Sequence, residues 1–292
     1  MADSKNNQLI TDANKAFYAL TAAEYDKMGR GMAVEAAKTN AANILARVPG
    51  IDPTKTELMD FAAGTGLLAM FLAPRCKSVT ALDQSDAMIE QLRNKLDAQT
   101  DPKDRINNIV PVVTDILDEA LSDGPLDGKK FDVITCTNSY HHLNDPKKVT
   151  QVLASYLKPG GYLAVVDLIK TERSAEFHTA PKTAMQEDGS HKYIVEFGVE
   201  PSGQHVHHGD DGHHEHKHHD HHGHSHGHEL SSGQATHHHE HVIAHKGGFS
   251  EAEMDDFFSA AQLKLVNIGK SVQFVKDGKA YDNFLAIAQK SE

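Results

Sequence analysis

LMDFAAGTGLL, Leu58 to Leu68, is the stretch on which the reading of the whole chain turns. An apolar run enters two glycines, Gly64 and Gly66, and an apolar helical pattern begins at once. Glycine adopts left-handed dihedrals without strain and lets the backbone come close to a ligand. A strand that bends into a helix over such residues places a ligand at the carboxyl end of an open α/β sheet. Taken alone the turn is a weak signal, because many strand-to-helix connections contain glycine.

Outward from this turn the chain alternates. TELMDF, SVTALD, IVPVVT, FDVITCT and YLAVVDL, between Thr56 and Leu168, are rich in β-branched residues and read as five buried strands. Helical patterns lie between them. GLLAMFLAP is closed by Pro74, and SDAMIEQLRNKLD repeats its apolar residues at helical spacing. In NDPKKVTQVLASYL, Asn144 or Asp145 suits the cap and Pro146 the first turn, before KPGG ends the helix. Beyond Leu168 the rhythm stops, and it resumes at FSEAEMDDFFSAAQ, where Ser250 and Glu253 form a capping box. LKLVNIGKSVQFV and AYDNFLAIAQK then read as a hairpin around Asp277-Gly278. Upstream, Thr11 to Val48 reads as two helices, the second burying Val34, Ala37, Ala41, Ile44 and Leu45.

The expected fold is α/β: a Rossmann-like doubly wound sheet of about seven strands, mostly parallel, with an antiparallel C-terminal hairpin strand. The expected divisions are an N-terminal helical lid at 1–50, a ligand-binding core at 51–169, a substrate-side insert at 170–248, and a C-terminal helix and hairpin at 249–292 that complete the core.

Composition narrows the function. With 292 residues, 39% of them hydrophobic, the chain has enough apolar side chain for a sizeable core. The formal net charge of -12 opposes a nucleic-acid binder that relies on phosphate attraction. Cys76 and Cys136, the only cysteines, sit in apolar surroundings and read as reduced thiols. The polar start MADSKNNQLITDANK lacks the apolar stretch of a signal peptide, and no apolar run approaches the roughly 20 residues of a membrane span. The expectation is a cytoplasmic protein, with the nucleus also open to it, and neither nucleic acid nor membrane as partner.

Two acidic residues sharpen the glycine turn. Asp83 ends the second strand about 20 residues after it, where a carboxylate can accept hydrogen bonds from ribose hydroxyls. Asp115 follows the third strand, where it can face an adenine edge. Either residue alone reads equally as a cap or a surface group; their register with the glycines favours a nucleoside. A nicotinamide fingerprint, G-x-G-x-x-A from Gly64 to Ala69, is formally met. However, the terminal hairpin replaces a second mononucleotide-binding half, and no dehydrogenase constellation is visible.

These residues resemble the class I S-adenosylmethionine-dependent methyltransferases. The resemblance runs from Glu57 to Asp167 and rests on DFAAGTG, VTALDQSDAMIEQL, the Asp115 turn, FDVITCTNSYHHLND and LKPGGYLAVVDL. Phe17, Ala23, Tyr25 and Asp26 are similar to the lid of small-molecule methylases of the quinone-methylating kind. The resemblance implies that the turn from Asp60 to Gly66, with Ala62, Gly64 and Thr65, holds the methionine part of the cofactor. It implies that Asp83 binds the ribose with Gln84 beside it, and that Asp115 and Ile116 flank the adenine. Asn138 would line the floor under the methyl group, and Tyr25 would close over the cofactor. The family often has glycine where this chain has Ala62. In SYHHLND, His142 is the expected general base beside Asn138, against the plainer reading that His141 or His142 only packs the loop. Asp167 either orients substrate or satisfies a backbone amide. His245 resembles a histidine found before the corresponding helix in related methylases, and no role is assigned to it.

The insert carries HHEHKHHDHHGHSHGHE, His213 to Glu229. Of the 22 histidines, all but His141, His142, His178 and His191 fall between His205 and His245. Apolar residues are nearly absent there, so a disordered loop is expected over 205–245. His213, His214, His216, His218, His219, His221, His222, His224, His226 and His228 form a loose cluster suited to exchangeable binding of divalent transition metals such as Zn or Ni. A low-complexity expansion and a pH-sensitive loop are the other readings. The functional expectation is an S-adenosylmethionine-dependent methyltransferase acting on a small-molecule acceptor. Its rivals are a non-catalytic metal-buffering protein on a methyltransferase scaffold and a nicotinamide-dependent oxidoreductase.

Overall fold

The computed structural model describes residues 12, 14–117, 124–178, 183–185, 191–193, 197–200 and 243–292. The loop expected to be disordered, apart from residues 243–245, and the whole histidine cluster expected to bind metal lie outside the described residues.

Five parallel strands form the centre: β1 (Glu57–Phe61), β2 (Ser78–Asp83), β3 (Ile109–Val113), β4 (Phe131–Thr137) and β5 (Leu157–Leu168). They stand in the order β3-β2-β1-β4-β5. The chain order reverses between β1 and β4, which creates the crevice where open α/β sheets take ligands. β6 (Thr183–Met185) and β7 (His191–Tyr193) pair with each other apart from this sheet. A short β8 (Phe197–Glu200) and the hairpin of β9 (Leu263–Lys276) and β10 (Lys279–Lys290) extend the main sheet, with β10 antiparallel to β5. The expected seven strands are therefore present, with β8 added at the edge.

The strand pattern follows from burial on both faces. Leu58, Val79, Ala81, Val133 and Ala164 turn to one layer, with Ile44, Leu72 and Leu92. Met59, Leu82, Ile134 and Val165 turn to the other, with Leu153, Met254 and Phe258. The helices are α1 (14–21), α2 (Met28–Arg47), α3 (Leu67–Leu72), α4 (Asp86–Asp97), α5 (Pro146–Tyr156) and α6 (Glu251–Ala260). A 3₁₀ turn, Ala22–Lys27, leads into α2. Ser85 caps α4, Asp145 caps α5, and Ser250 with Glu253 forms the expected capping box of α6. The hairpin turns at Asp277 and Gly278, both at positive φ, as a two-residue turn requires.

Three local expectations shift. The helix after β1 stops at Leu72, and Pro74 sits in a 3₁₀ turn, Ala73–Arg75. KPGG lies within β5, where the pairing with β4 jumps from Phe131↔Leu157 to Val133↔Tyr162. α2 buries Ala36, Asn40, Ala41 and Ile44, with Val48 just after its end, while Val34, Ala37 and Leu45 are half-buried. The ridge at 36, 40, 44 and 48 faces the sheet because steps of four residues nearly complete a helical turn. Cys76 and Cys136 are buried free thiols, and no helix among the described residues is long and apolar enough to cross a membrane.

Gly66 shows how tightly the turn is fitted. Its φ is +77°, and a Cβ there would lie 2.5 Å from Leu92 Cδ1 of α4. Gly66→Ala therefore combines left-handed strain with overpacking, and urea denaturation should show a loss of about 2–4 kcal/mol.

Candidate functional site

A cavity of about 450 Å³ opens at the carboxyl ends of the central strands. Its floor is the glycine turn. Gly64 has φ +56°, and a Cβ there would meet nothing within 4 Å, so the position faces open space. The Gly64 amide donates to Asp83 Oδ2 at 2.8 Å, and the Ser85 amide donates to Asp83 Oδ1 at 2.8 Å. Burial raises the Asp83 carboxyl, while the amides of Ser85, Gly64 and Gln84 oppose the rise. Each carboxylate oxygen keeps a further lone pair for a ligand.

Most residues expected from the sequence meet in this cavity. Tyr25, Ala62, Gly64, Thr65, Asp83 and Gln84 line one part of it; Asp115, Ile116, Asn138 and His142 line another. Asp60 and Gly66 stand behind the wall. Asp60 is buried, and its Oδ1 accepts a 2.7 Å hydrogen bond from the Thr135 hydroxyl. Burial pushes its carboxyl up to about 7, against the Thr135 hydroxyl and the Ala69 amide. Ala62 takes φ 54° where the chain turns, a left-handed conformation that costs a non-glycine residue about 1–2 kcal/mol. Asn138 takes φ 53°, which asparagine tolerates better, and its Oδ1 accepts from Asn283 Nδ2 at 2.6 Å.

The N-terminal segment covers the glycine turn. Asp26 accepts from Thr65 Oγ1 at 2.5 Å and from Lys95 Nζ at 2.7 Å, which ties the 3₁₀ turn to the glycine loop and to α4. Tyr25 and Tyr18 pack edge to face at 6.2 Å. Burial, the neighbouring tyrosine and Asp83 raise the Tyr18 phenol well above its ordinary value, so it keeps its proton.

Across the cavity stand three histidines. His141 Nδ1 lies 2.9 Å from Asp167 Oδ1 and 3.1 Å from Oδ2, and the His141 amide donates to Oδ2. Asp167 is fully buried at the end of β5. Burial alone would raise its carboxyl. The His141 ring, with hydrogen bonds from it and from the amides of Leu168 and His141, outweighs burial and holds the group below the usual range. His142 Nε2 and the Tyr18 hydroxyl form a 3.0 Å hydrogen bond. The His141 ring lies between His142, at 4.2 Å, and His178, at 4.6 Å, measured between centroids. His178 continues to Phe177 at 5.0 Å, and Phe177 to Phe274 at 5.7 Å. From Tyr18 to Phe274 the wall is thus an unbroken series of ring contacts. His245 lies outside the lining and braces it, its amide donating to the His141 carbonyl at 2.9 Å.

Sequence reasoning did not single out Tyr18, His178, Phe177, Asn40 or Asn283 as lining residues. Asn283 carried a signal, as a polar residue inside an apolar strand; Asn40 carried none, because its burial depends on Ser271 across the fold. His178 sits in a stretch without periodicity and carried none. Among the described residues no group of three His, Cys, Asp or Glu side chains is placed to hold a metal ion.

Residues 59–163 match a family model described as a methyltransferase domain. An uncharacterised methyltransferase of Schizosaccharomyces pombe is 37% identical over 113 residues, which are 39% of this chain and 39% of that protein. A ubiquinone biosynthesis O-methyltransferase of Coxiella burnetii is 33% identical over 106 residues, 36% of this chain and 41% of that protein. The chain thus spans only 39–41% of the length of these two curated relatives. The crystal structure of magnesium protoporphyrin IX methyltransferase from Synechocystis, with bound S-adenosylmethionine, superposes with a TM-score of 0.52 at 12% identity, covering 98% of this chain and 97% of that one. At such identity the likeness shows the fold.

The half-buried His178 gives a pH signature. Burial first, and the neighbouring His141 next, lower His178 from 6.5 to about 4. The unfolded chain therefore takes up this proton first, so the stability that depends on neutral His178 is complete above 6.5 and is lost as pH falls toward 4. Asp60 acts in the opposite sense: its folded carboxyl, at about 7 against 3.8 for the free group, binds a proton first and adds stability as pH falls. His178→Asn, which preserves a donor to the Lys246 carbonyl, should lose less stability than the parent between pH 6.5 and 4 in denaturation curves.

Proposed function

We propose that this chain, which carries a class I S-adenosylmethionine-dependent methyltransferase domain, moves the methyl group of that cofactor to a small-molecule acceptor. The observation that carries this reading is the Asp83 clamp on the Gly64 amide at the reversal point of the sheet, facing open space. The residues present fit the cofactor. Gly64 leaves room for its methionine part, Asp83 has lone pairs for ribose hydroxyls, and Asp115 and Ile116 stand where an adenine would lie. The cofactor supplies a methyl group already made electrophilic by its sulfonium. The protein's task is to align a nucleophile with it, exclude water and manage a proton. Tyr25, with the tie from Asp26 to Thr65 and Lys95, closes one side of the cavity.

The ring-lined wall from Tyr18 to Phe274 supports a small acceptor with a flat face, since aromatic surfaces stack on such walls. The relatives named as O-methyltransferases support the same reading. The antiparallel β10, in place of a second nucleotide-binding half, favours it over nicotinamide chemistry.

The histidine-rich segment is a second component of the proposal. His178 and Ile243, on either side of it, both line the cavity, so the segment departs from and returns to the acceptor side. Its H-x-H and H-x-x-x-H pairs suit weak, exchangeable loading with zinc or nickel.

Titration calorimetry with S-adenosylhomocysteine should give saturable one-site binding and a matching rise in melting temperature. Asp83→Ala should weaken that binding by at least about tenfold, because hydrogen bonds to a charged group are lost. A parent protein stabilised by nicotinamide cofactors and indifferent to the adenosyl thioether would refute the assignment. For the insert, zinc uptake by the full chain should exceed that of a chain lacking residues 205–241; equal uptake would remove the metal component and leave the enzyme untouched.

A further inference from the structure

We infer that His141 is the general base of the reaction, that Asp167 is its positioning residue, and that the acceptor atom is the oxygen of a hydroxyl group. This rests on the methyl-transfer reading. It replaces the assignment of the base to His142, which follows from the sequence alone.

The argument begins with hydrogen-bond direction. Asp167 is fully buried, and its carboxylate is surrounded by donors: the amides of Leu168 and His141, and the His141 ring at Nδ1. An ionised carboxylate only accepts, so the neutral ring carries its proton on Nδ1. The lone pair is then on Nε2. Among the described residues His141 Nε2 makes no hydrogen bond, and it is absent from the buried polar atoms that lack partners. The ring lines the cavity, so this nitrogen is open to it.

His142 differs on this point. Its Nε2 is engaged by the phenol of Tyr18, which holds its proton firmly. His178 spends Nδ1 on the Lys246 carbonyl and, among the described residues, makes no hydrogen bond to a carboxylate. His141 has the carboxylate, and the rings of His142 and His178 on either side restrict its rotation. The groups that face it are therefore Asp167 from β5, His142 from its own turn, and His178 from the segment after β5.

The chemistry then selects the acceptor. A nucleophile that holds no proton, such as a thioether or a neutral tertiary amine, needs no base. A hydroxyl needs one, because its proton must leave as the oxygen attacks; ammonium, thiol and carbon acids need one too, and among these the flat ring-lined wall beside His141 favours an aromatic hydroxyl. His141 Nε2 takes that proton while an oxygen lone pair forms the bond to the methyl carbon. The carbon–sulfur bond breaks with its pair left on sulfur. The products are a methyl ether, a neutral thioether and an imidazolium facing Asp167, which then gives its proton to solvent. No oxidant, reductant or further reactant is involved.

The test uses 4-nitrophenol, which is yellow only as the phenolate, with the full-length protein saturated with S-adenosylhomocysteine. At a mildly acidic pH where the free probe is colourless, the parent complex should develop the phenolate band. His141→Gln should abolish it, and Asp167→Asn should reduce it by about tenfold or more, since the ring then loses its preferred tautomer. Lys77→Ala, just before the start of β2 and away from the cavity, should retain it. Calorimetry with S-adenosylhomocysteine on every variant shows whether each is folded and competent for cofactor. A phenolate band that survives in His141→Gln, or is missing from a parent that binds S-adenosylhomocysteine normally, overturns the base assignment. A parent that fails to bind S-adenosylhomocysteine overturns the methyl-transfer reading instead.

Discussion

A half-buried carboxylate at the end of a parallel strand must find donors, and Asp83 finds them in the main chain. The amides of Gly64 and Ser85 each reach it at 2.8 Å. The first of these bonds crosses between neighbouring strands and holds the glycine loop open over the crevice. The second starts α4, whose Leu92 fills the space left by the missing side chain of Gly66. Loop, strand end and helix are thus fixed by one acidic group. The space in front of them is open at Gly64, where a Cβ would meet nothing within 4 Å.

The fold was legible because its signals are local and repeated. The central strands carry apolar runs, the helices after β2 and β4 have side-chain caps, and the capping box at Ser250 and the turn at Asp277-Gly278 speak through three or four residues. The glycine turn and Asp83 were legible for the same reason, since strand order places them together without further knowledge of packing. Errors appeared where a choice depended on tertiary contact. The buried face of α2 is set by β9, where Asn43 and Asn40 meet Ser271, more than 220 positions away. No periodicity within the helix could show that Asn40 belongs inside.

The acceptor side was less legible for a related reason. In SYHHLND the two histidines are adjacent and equivalent as letters. What separates them is the partner each finds across the fold: Asp167 for His141, Tyr18 for His142. Asp60 shows the opposite case. It reads as a ligand-facing carboxylate, yet its strand points it into the interior, where Thr135 takes one oxygen and burial favours its neutral form. Position at a strand end does not tell which way a side chain faces; the pleat does.

The hydrogen bond from His178 to the Lys246 carbonyl joins two residues 68 positions apart at 2.7 Å. The intervening stretch therefore begins and ends at one place on the surface of the fold. Closing a chain excursion costs entropy only as the logarithm of its length, about 0.6 kcal/mol for each doubling. Between the two feet Phe197–Glu200 joins the main sheet as β8, paired with β9, so the stretch is held at an edge strand as well as at its base. Lengthening it between these anchors adds little to the entropy of closure.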